Sequence, residues 1–196
     1  SVHILKHISQ LPLQNGSDPV LRRMKRWHTR EAYRAREFQV ADAVPRVGLG
    51  ADIITGFPGE TAADHEETVA LVEELPFTYL HVFPFSPKDG TEASTLPNPV
   101  PQRVAGERSR ELRALAQEKH RRYRESRAGE ASVVTLEGQG RRALTGDYLR
   151  VNVNAEVDTG VHVERDAAGV GVDAFRPLHS GVLRGNGEDL YIELVS

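Results

Sequence analysis

Residues Gly48–Thr91 read GLGADIITGFPGETAADHEETVALVEELPFTYLHVFPFSPKDGT. An apolar run, Leu49 to Ile54, stops at Gly56-Phe57-Pro58-Gly59-Glu60. Thr61 opens an amphipathic segment to Leu75, and a second apolar run covers Tyr79 to Phe85. The order strand, glycine turn, helix, strand is a βαβ unit. Its helix is expected to bury Val69, Leu71, Val72 and Leu75 and to turn Asp64, Glu66, Glu67, Glu73 and Glu74 to water. Parallel strands present functional groups at their carboxyl ends, which here carry Gly56–Glu60 and Phe85–Thr91.

Upstream, Val2–Gln14 reads as an extended run ending at Leu11-Pro12-Leu13-Gln14. Asn15-Gly16-Ser17-Asp18 is a turn in which Ser17 or Asp18 can cap a helix, with Pro19 suited to its first turn. Val20, Leu21 and Met24 share a face flanked by Arg22, Arg23, Lys25 and Arg26. Thr29 opens a further helix to about Ala43, with Glu31 near its positive end, and Pro45 closes it. The alternation favours a parallel sheet. The chain starts within what reads as a strand, so an earlier segment is expected.

Downstream, Leu96–Pro101 is a proline-rich connector. A helix from about Gln102 to Arg127 follows. Arg103, Arg108, Arg110, Arg113, Arg121, Arg122 and Arg124 give it a basic side, partly explained by i,i+4 charge pairing. Leu112, Leu115 and Ala116 can pack. From Gly129 the pattern changes to short β-rich runs: Ser132–Glu137, Tyr148–Val153, Val161–Glu164, Val170–Phe175 and Leu190–Val195. Glycine-rich turns separate these runs, as in a small OB-like barrel. The boundary is placed near Ala128–Glu130, giving an α/β domain over 1–128 and a β-barrel over 129–196.

Over 196 residues, no apolar run approaches the ~20 residues of a membrane span, and Ser1-Val2-His3-Ile4-Leu5 does not read as a signal peptide, so none is expected. A cytoplasmic protein without membrane contact is expected. Cysteine is absent, which excludes disulfides and thiolate metal sites within this sequence. The eight histidines show no metal-site spacing, so no metal ligand is assigned. The net charge of −3 does not point to nucleic acid, but the arginines cluster.

Three loops carry candidate chemistry. The glycines of Gly56–Glu60 let backbone approach a ligand, although the turn also reads as a tight βα connection with a helix-start carboxylate. Gln14, with Ser17, can hydrogen-bond a ribose or a carboxylate, although the turn also reads as a plain cap. In Pro84–Thr91, Lys88 can hold phosphate, and Phe85 can stack or simply pack. His81 reads as a core or strand-edge histidine.

Together, LPLQNGSDPVLRRMKR, ADIITGFPGETAADHEETVALVEELPF and LHVFPFSPKDGTEA resemble the methylthiotransferase family of radical S-adenosylmethionine enzymes. The terminal module resembles the TRAM domain of that family. The LHVFPFSP form looks most like the branch acting on N6-threonylcarbamoyladenosine in tRNA. Branches acting on isopentenyladenosine or on a ribosomal protein are the competitors. The resemblance implies the second half of a TIM-like partial barrel followed by an RNA-binding barrel. It further implies a methylthio group added to C2 of the adenosine 3′ of the anticodon, with S-adenosylmethionine and two 4Fe–4S clusters as cofactors and tRNA as partner. One cluster cleaves S-adenosylmethionine to a 5′-deoxyadenosyl radical in that family. The cluster cysteines have no counterpart here, so catalytic residues are not assigned.

By the same resemblance, Gln14, Gly16 and Ser17 match the strand-end element of the cofactor site. Asp52, Ile54, Gly56 and Gly59 match the strand beside the adenine, and Arg26 matches the basic position after the methionine. Phe85, Ser86, Lys88, Gly90 and Thr91 match the substrate-side loop. In the barrel, Arg141, Arg142, Tyr148 and Arg150 are the candidate RNA contacts. His28 replaces a usual tyrosine, Lys88 a usual arginine and Asp89 a common proline. A non-catalytic RNA-binding module is the alternative from a different class.

Overall fold

Strand β2, Gly48–Thr55, is buried over most of its length in the computed structural model, which describes residues 8–44, 46–137, 140–154 and 178–195. It is the middle of a three-stranded parallel sheet, between β1 (Ile8–Gln10) and β3 (Tyr79–Pro84). Its neighbours explain its apolar run, because a central parallel strand is covered on both faces. Leu49, Ala51 and Ile53 are at most 1% exposed. They share a core with Leu71, Val72 and Leu75 of the following helix segment, and with Tyr33, Phe77, Val82 and Leu112. Each large aliphatic side chain so buried contributes about 1.5–3 kcal/mol.

Three helices precede or follow these strands as the sequence pattern expects: α1 (Asp18–Arg23), α2 (Arg30–Ala43) and α3 (Ala62–Glu74). Ser17 is the N-cap of α1 but makes no side-chain cap bond. Thr29 caps α2 by accepting from the Ala32 amide at 3.2 Å. Thr61 and Asp64 form a full capping box on α3. That box overturns the expectation that Asp64 faces water: it is only 8% exposed. The other four carboxylates of α3 are exposed. Glu37 of α2 is buried too, and burial pushes its carboxyl above the ordinary range.

Helix α4, Gln102–Arg127, has the expected bounds. Among the described residues two compact units divide within it, one up to His120 and one from Arg121 on. The second unit is a closed barrel in the order β4-β5-β6-β8-β7, made of Ala131–Glu137, Arg142–Thr145, Arg150–Val153, Tyr191–Leu194 (β8) and Leu178–Arg184 (β7). The strands β5 and β7 were not expected from the sequence. The expected strands Val161–Glu164 and Val170–Phe175, the Pro45 helix stop and the start of the first strand lie outside the described residues. The barrel core is Val134, Ala143, Leu149, Val151, Leu183, Leu190 and Ile192. Among the described residues no helix is long and apolar enough to cross a membrane.

The last turns of α4 belong to the barrel unit through polar contacts. Arg124 donates to the carbonyls of Gly187 and Arg150, both at 2.9 Å. Arg127, 4% exposed, donates through Nε to Asp147 at 2.9 Å, and Tyr123 donates to the same carboxylate at 2.6 Å. Burial alone would raise the Asp147 carboxyl, but bonds from Arg127, Tyr123 and Thr145 hold it below the usual carboxylate range. A depressed carboxylate stabilises the fold above its unfolded pKa and loses that contribution as pH falls through its folded pKa. Arg127→Ala leaves Asp147 buried without its cation and is expected to cost the barrel about 3–5 kcal/mol in urea unfolding. In Asp147→Asn, the loss of stability between neutral and acidic pH becomes shallower than in the parent. An unchanged pH profile would remove Asp147 from the acid response.

Candidate functional site at the carboxyl ends of the strands

The three parallel strands release their loops at one edge, and the loop residues meet in two layers. The lower layer is a buried polar network. Asn15 Nδ2 donates to Glu60 Oε2 at 3.1 Å, and the Gly56 amide donates to Glu60 Oε1 at 3.1 Å. Arg108 Nη1 donates to the same Oε1 at 2.6 Å. Side chains of Arg108 and Glu60 are 11% and 1% exposed, so this pair is desolvated as well as charged. Ser17 Oγ donates to Asp64 Oδ1 at 2.5 Å, and Thr68 Oγ1 accepts from the Gly16 amide at 3.0 Å. Asp64 is held below the ordinary carboxylate range: burial opposes this, and the bonds from Ser17 and Thr61 outweigh it.

Two glycines in this layer are dictated by contact. A Cβ on Gly16 would lie 2.6 Å from Thr68 Cα. Gly56, at φ +75°, would place one 2.3 Å from Ala105 Cβ. Neither glycine is open to a ligand, since both are buried.

The upper layer is a cavity of about 240 Å³ lined by Gln14, Met24, Arg26, Ile54, Phe57 and Phe85, with Arg23, Lys25, Glu92, Ala93 and Leu96 at its sides. Gln14 holds a left-handed backbone, φ 68°, because it bridges β2: its amide donates to Asp52 O and its carbonyl accepts from Ile54 N, both at 2.8 Å. Arg26 Nη2 donates to Gln14 Oε1 at 3.1 Å. The rings of Phe57 and Phe85 meet edge to face at 5.1 Å, giving the cavity an aromatic wall.

Of the residues singled out in sequence, Gln14, Arg26, Ile54 and Phe85 therefore share the cavity. Gly16, Ser17 and Gly56 lie in the polar layer instead, and Gly59 offers its carbonyl to Arg23 at 2.9 Å. Asp52 is half-buried on β2 beside His81 of β3, an edge strand of the described sheet, and His81 is exposed there between the rings of Tyr79 and Phe83, the strand-edge position of the two expected. Ser86, Lys88, Gly90 and Thr91 are exposed, with Thr91 Oγ1 bonded to Lys88 O at 2.7 Å. In the barrel unit, Arg141, Arg142, Tyr148 and Arg150 are all exposed. Arg150 lies over the Tyr148 ring at 5.8 Å and pairs with Glu137 at 3.2 Å. Phe57, Met24 and Leu96 were not singled out in sequence. Their signal is weak, since apolar loop residues usually just pack.

The chain is a parallel α/β unit with a strand-end cavity that goes on into a small closed β-barrel. Comparison with known proteins sharpens this. The chain is 41% identical over 143 residues, 73% of its length, to a threonylcarbamoyladenosine tRNA methylthiotransferase of Treponema pallidum. It is 37% identical over 139 residues to a tRNA-2-methylthio-N(6)-dimethylallyladenosine synthase of Syntrophotalea carbinolica, covering 71% of this chain, and 37% identical over 159 residues, or 81%, to the synthase of Methylococcus capsulatus. Over the matched residues it is similar to tRNA methylthiotransferases. The chain spans about a third of the length of these relatives, 30%, 32% and 34% respectively. No protein-family model matches it.

Removing Glu60 strands Arg108 and the Asn15 amide in the lower layer. Glu60→Ala is expected to cost about 3–5 kcal/mol, and Glu60→Gln clearly less, because the amide oxygen still accepts. Urea titration followed by circular dichroism measures both. Equal losses for the two variants would mean that the pair acts through packing alone.

Proposed function

We propose that this chain is the carboxy-terminal part of a tRNA methylthiotransferase that adds a methylthio group to C2 of N6-threonylcarbamoyladenosine beside the anticodon, by radical S-adenosylmethionine chemistry. The observation that carries this reading is the 41% identity to the Treponema protein over 143 residues. A second reading, the same reaction on dimethylallyladenosine, is favoured by the names of the Syntrophotalea and Methylococcus relatives. We assign residues 1–128 to the radical domain and 129–196 to the RNA-binding module.

Iron–sulfur clusters require thiolates, and this sequence has no cysteine. Among the described residues no three His, Asp or Glu side chains come together as a metal site. The residues present do not fit a cluster, and no step through one is assigned to them. They do fit part of S-adenosylmethionine. Phe57, Phe85 and Ile54 offer apolar walls to an adenine ring, and the carboxamide of Gln14 and the guanidinium of Arg26 offer polar contacts at the same cavity. When bound, the cofactor supplies methyl and radical chemistry; the role of these residues is to bind and orient it.

The test is anaerobic expression of the gene product that carries this chain in cells lacking their own methylthiotransferases, followed by mass spectrometry of tRNA nucleosides. We expect 2-methylthio-N6-threonylcarbamoyladenosine. Product on dimethylallyladenosine instead would establish the second reading, and neither product would overturn both.

Arg141 and Arg142 are proposed to contact RNA phosphates, Arg150 being engaged with Glu137 and Tyr148. Replacing both with Ala is expected to weaken tRNA binding about equally across sequences. It should also reduce the salt slope by roughly 1–2 units, since each phosphate contact contributes about 0.7–0.9. Affinities at several salt concentrations measure this, and an unchanged slope would give the barrel a structural role.

A further inference from the structure

Trp27 is 94% exposed. It is the only tryptophan of the chain, and it sits within Arg22-Arg23-Met24-Lys25-Arg26-Trp27-His28. An indole left in water is a poor use of the largest apolar side chain, and among the described residues none covers it. Its backbone is nevertheless fixed. Lys25 takes a left-handed conformation, φ 57°, and the amides of Met24, Lys25 and Arg26 donate back into α1 at 2.9, 3.0 and 2.9 Å. Trp27 itself stands edge-on to His28, ring centroids 5.7 Å apart, and His28 Nε2 lies 3.2 Å from Leu13 O. The side chain is thus displayed from a pre-formed loop, which lowers the ordering cost of binding.

The neighbourhood selects the partner. Arg22, Lys25 and Arg26 are exposed in the same loop as Trp27; Lys25 pairs with Glu92 at 2.5 Å, and Arg23 lies 3.7 Å from Asp64. A protein-binding hot spot would need apolar surface around the indole, and here the exposed neighbours are cations. Cations around a solvent-facing aromatic ring suit a nucleic acid strand, whose phosphates take the charges and whose base takes the ring face. The base must be unstacked to reach the indole, which selects a single-stranded loop over a duplex. Met24, Lys25 and Arg26 also line the strand-end cavity, so the loop is the cavity's rim.

We propose that Trp27 is a stacking platform for an unpaired nucleotide of the RNA substrate, next to the nucleotide presented to the cavity, with Arg22 and Lys25 holding the phosphates on either side. The proposal rests on the tRNA reading above and names a contact that reading does not include.

The lone tryptophan makes the test direct. The chain is titrated with an anticodon stem-loop, with a blunt duplex of the same composition and with heparin, while Trp27 fluorescence is followed. The stem-loop is expected to quench it; the duplex and heparin, having no free base, are expected to leave it nearly unchanged. Trp27→Ala is expected to weaken stem-loop binding by roughly 5- to 150-fold, the span of one base–aromatic stack, and to leave circular dichroism and the salt slope unchanged. Binding with Trp27 silent, equal quenching by heparin, or parent-like affinity of Trp27→Ala would each overturn the proposal and leave the tRNA reading standing. Concentration-dependent quenching without RNA would overturn it in favour of contact between two copies. No RNA binding by the parent chain at low salt would overturn it together with the tRNA reading.

Discussion

Glu60 is the constraint on which the strand-end site depends. Its carboxylate lies where the loop after β1, the loop after β2 and helix α4 meet, and it accepts from one donor of each: Asn15, the Gly56 amide and Arg108. A charge so buried is tolerated only when donors surround it. Each donor in turn has few alternatives. The Gly56 amide sits in a left-handed turn against Ala105, and Arg108 is nearly enclosed. The carboxylate therefore fixes the heights of two loops and one helix together. Gln14 and Phe57, which lie beside Asn15 and Gly56 in sequence, are positioned by the same network at the cavity wall.

This arrangement separates holding from binding. Gly16, Ser17 and Gly56 look in sequence like ligand-contacting residues, because small and polar residues at strand ends often are; in the fold they join Asn15, Glu60 and Asp64. In the fold their polar atoms bond mostly to one another, and the surface left for a ligand is largely apolar. Such a division is physically sensible. A rigid, satisfied polar floor costs little when the site fills, whereas apolar walls gain from expelling water.

The parts of the fold that were legible in sequence are those in which one signal dominates. The β2–α3–β3 unit follows from two apolar runs and a glycine turn. Helix α4 follows from a proline stop and a long helical pattern. What was illegible is charge turned inward. Glu37 carries no mark distinguishing it from the exposed carboxylates beside it, since it depends on the packing of α2; Asp64 has a local mark in the Thr61 capping box, but its burial also needs Ser17, far away in sequence. Strands β5 and β7 were missed because each is only half apolar, and a closed barrel supplies the pairing that a short isolated run lacks. Among the site residues, Gln14, Ile54 and Phe85 were legible through their strand-end positions, but the partition into floor and wall depends on contacts that no spacing encodes.

Inward charge also changes how the basic helix is understood. The arginine side of α4 reads in sequence as a candidate polyanion surface. In the structure Arg108 serves Glu60, Arg113 caps the Val82 carbonyl through two nitrogens, and Arg124 and Arg127 bind carbonyls and Asp147 of the barrel unit. Arg103 and Arg121 make i,i+4 pairs with Glu107 and Glu125. An arginine whose fork already holds protein acceptors must give them up before it can hold a phosphate, so most of this helix is withdrawn from RNA binding. With a net charge of −3 there is no broad positive field to compensate. RNA contacts of the kind proposed for the described residues are short and local, built from a few exposed cations such as Arg22 and Lys25 in one unit and Arg141 and Arg142 in the other. Such a contact gains little from long-range attraction and needs a stacking ring to hold its register, and the first of those places has one in Trp27.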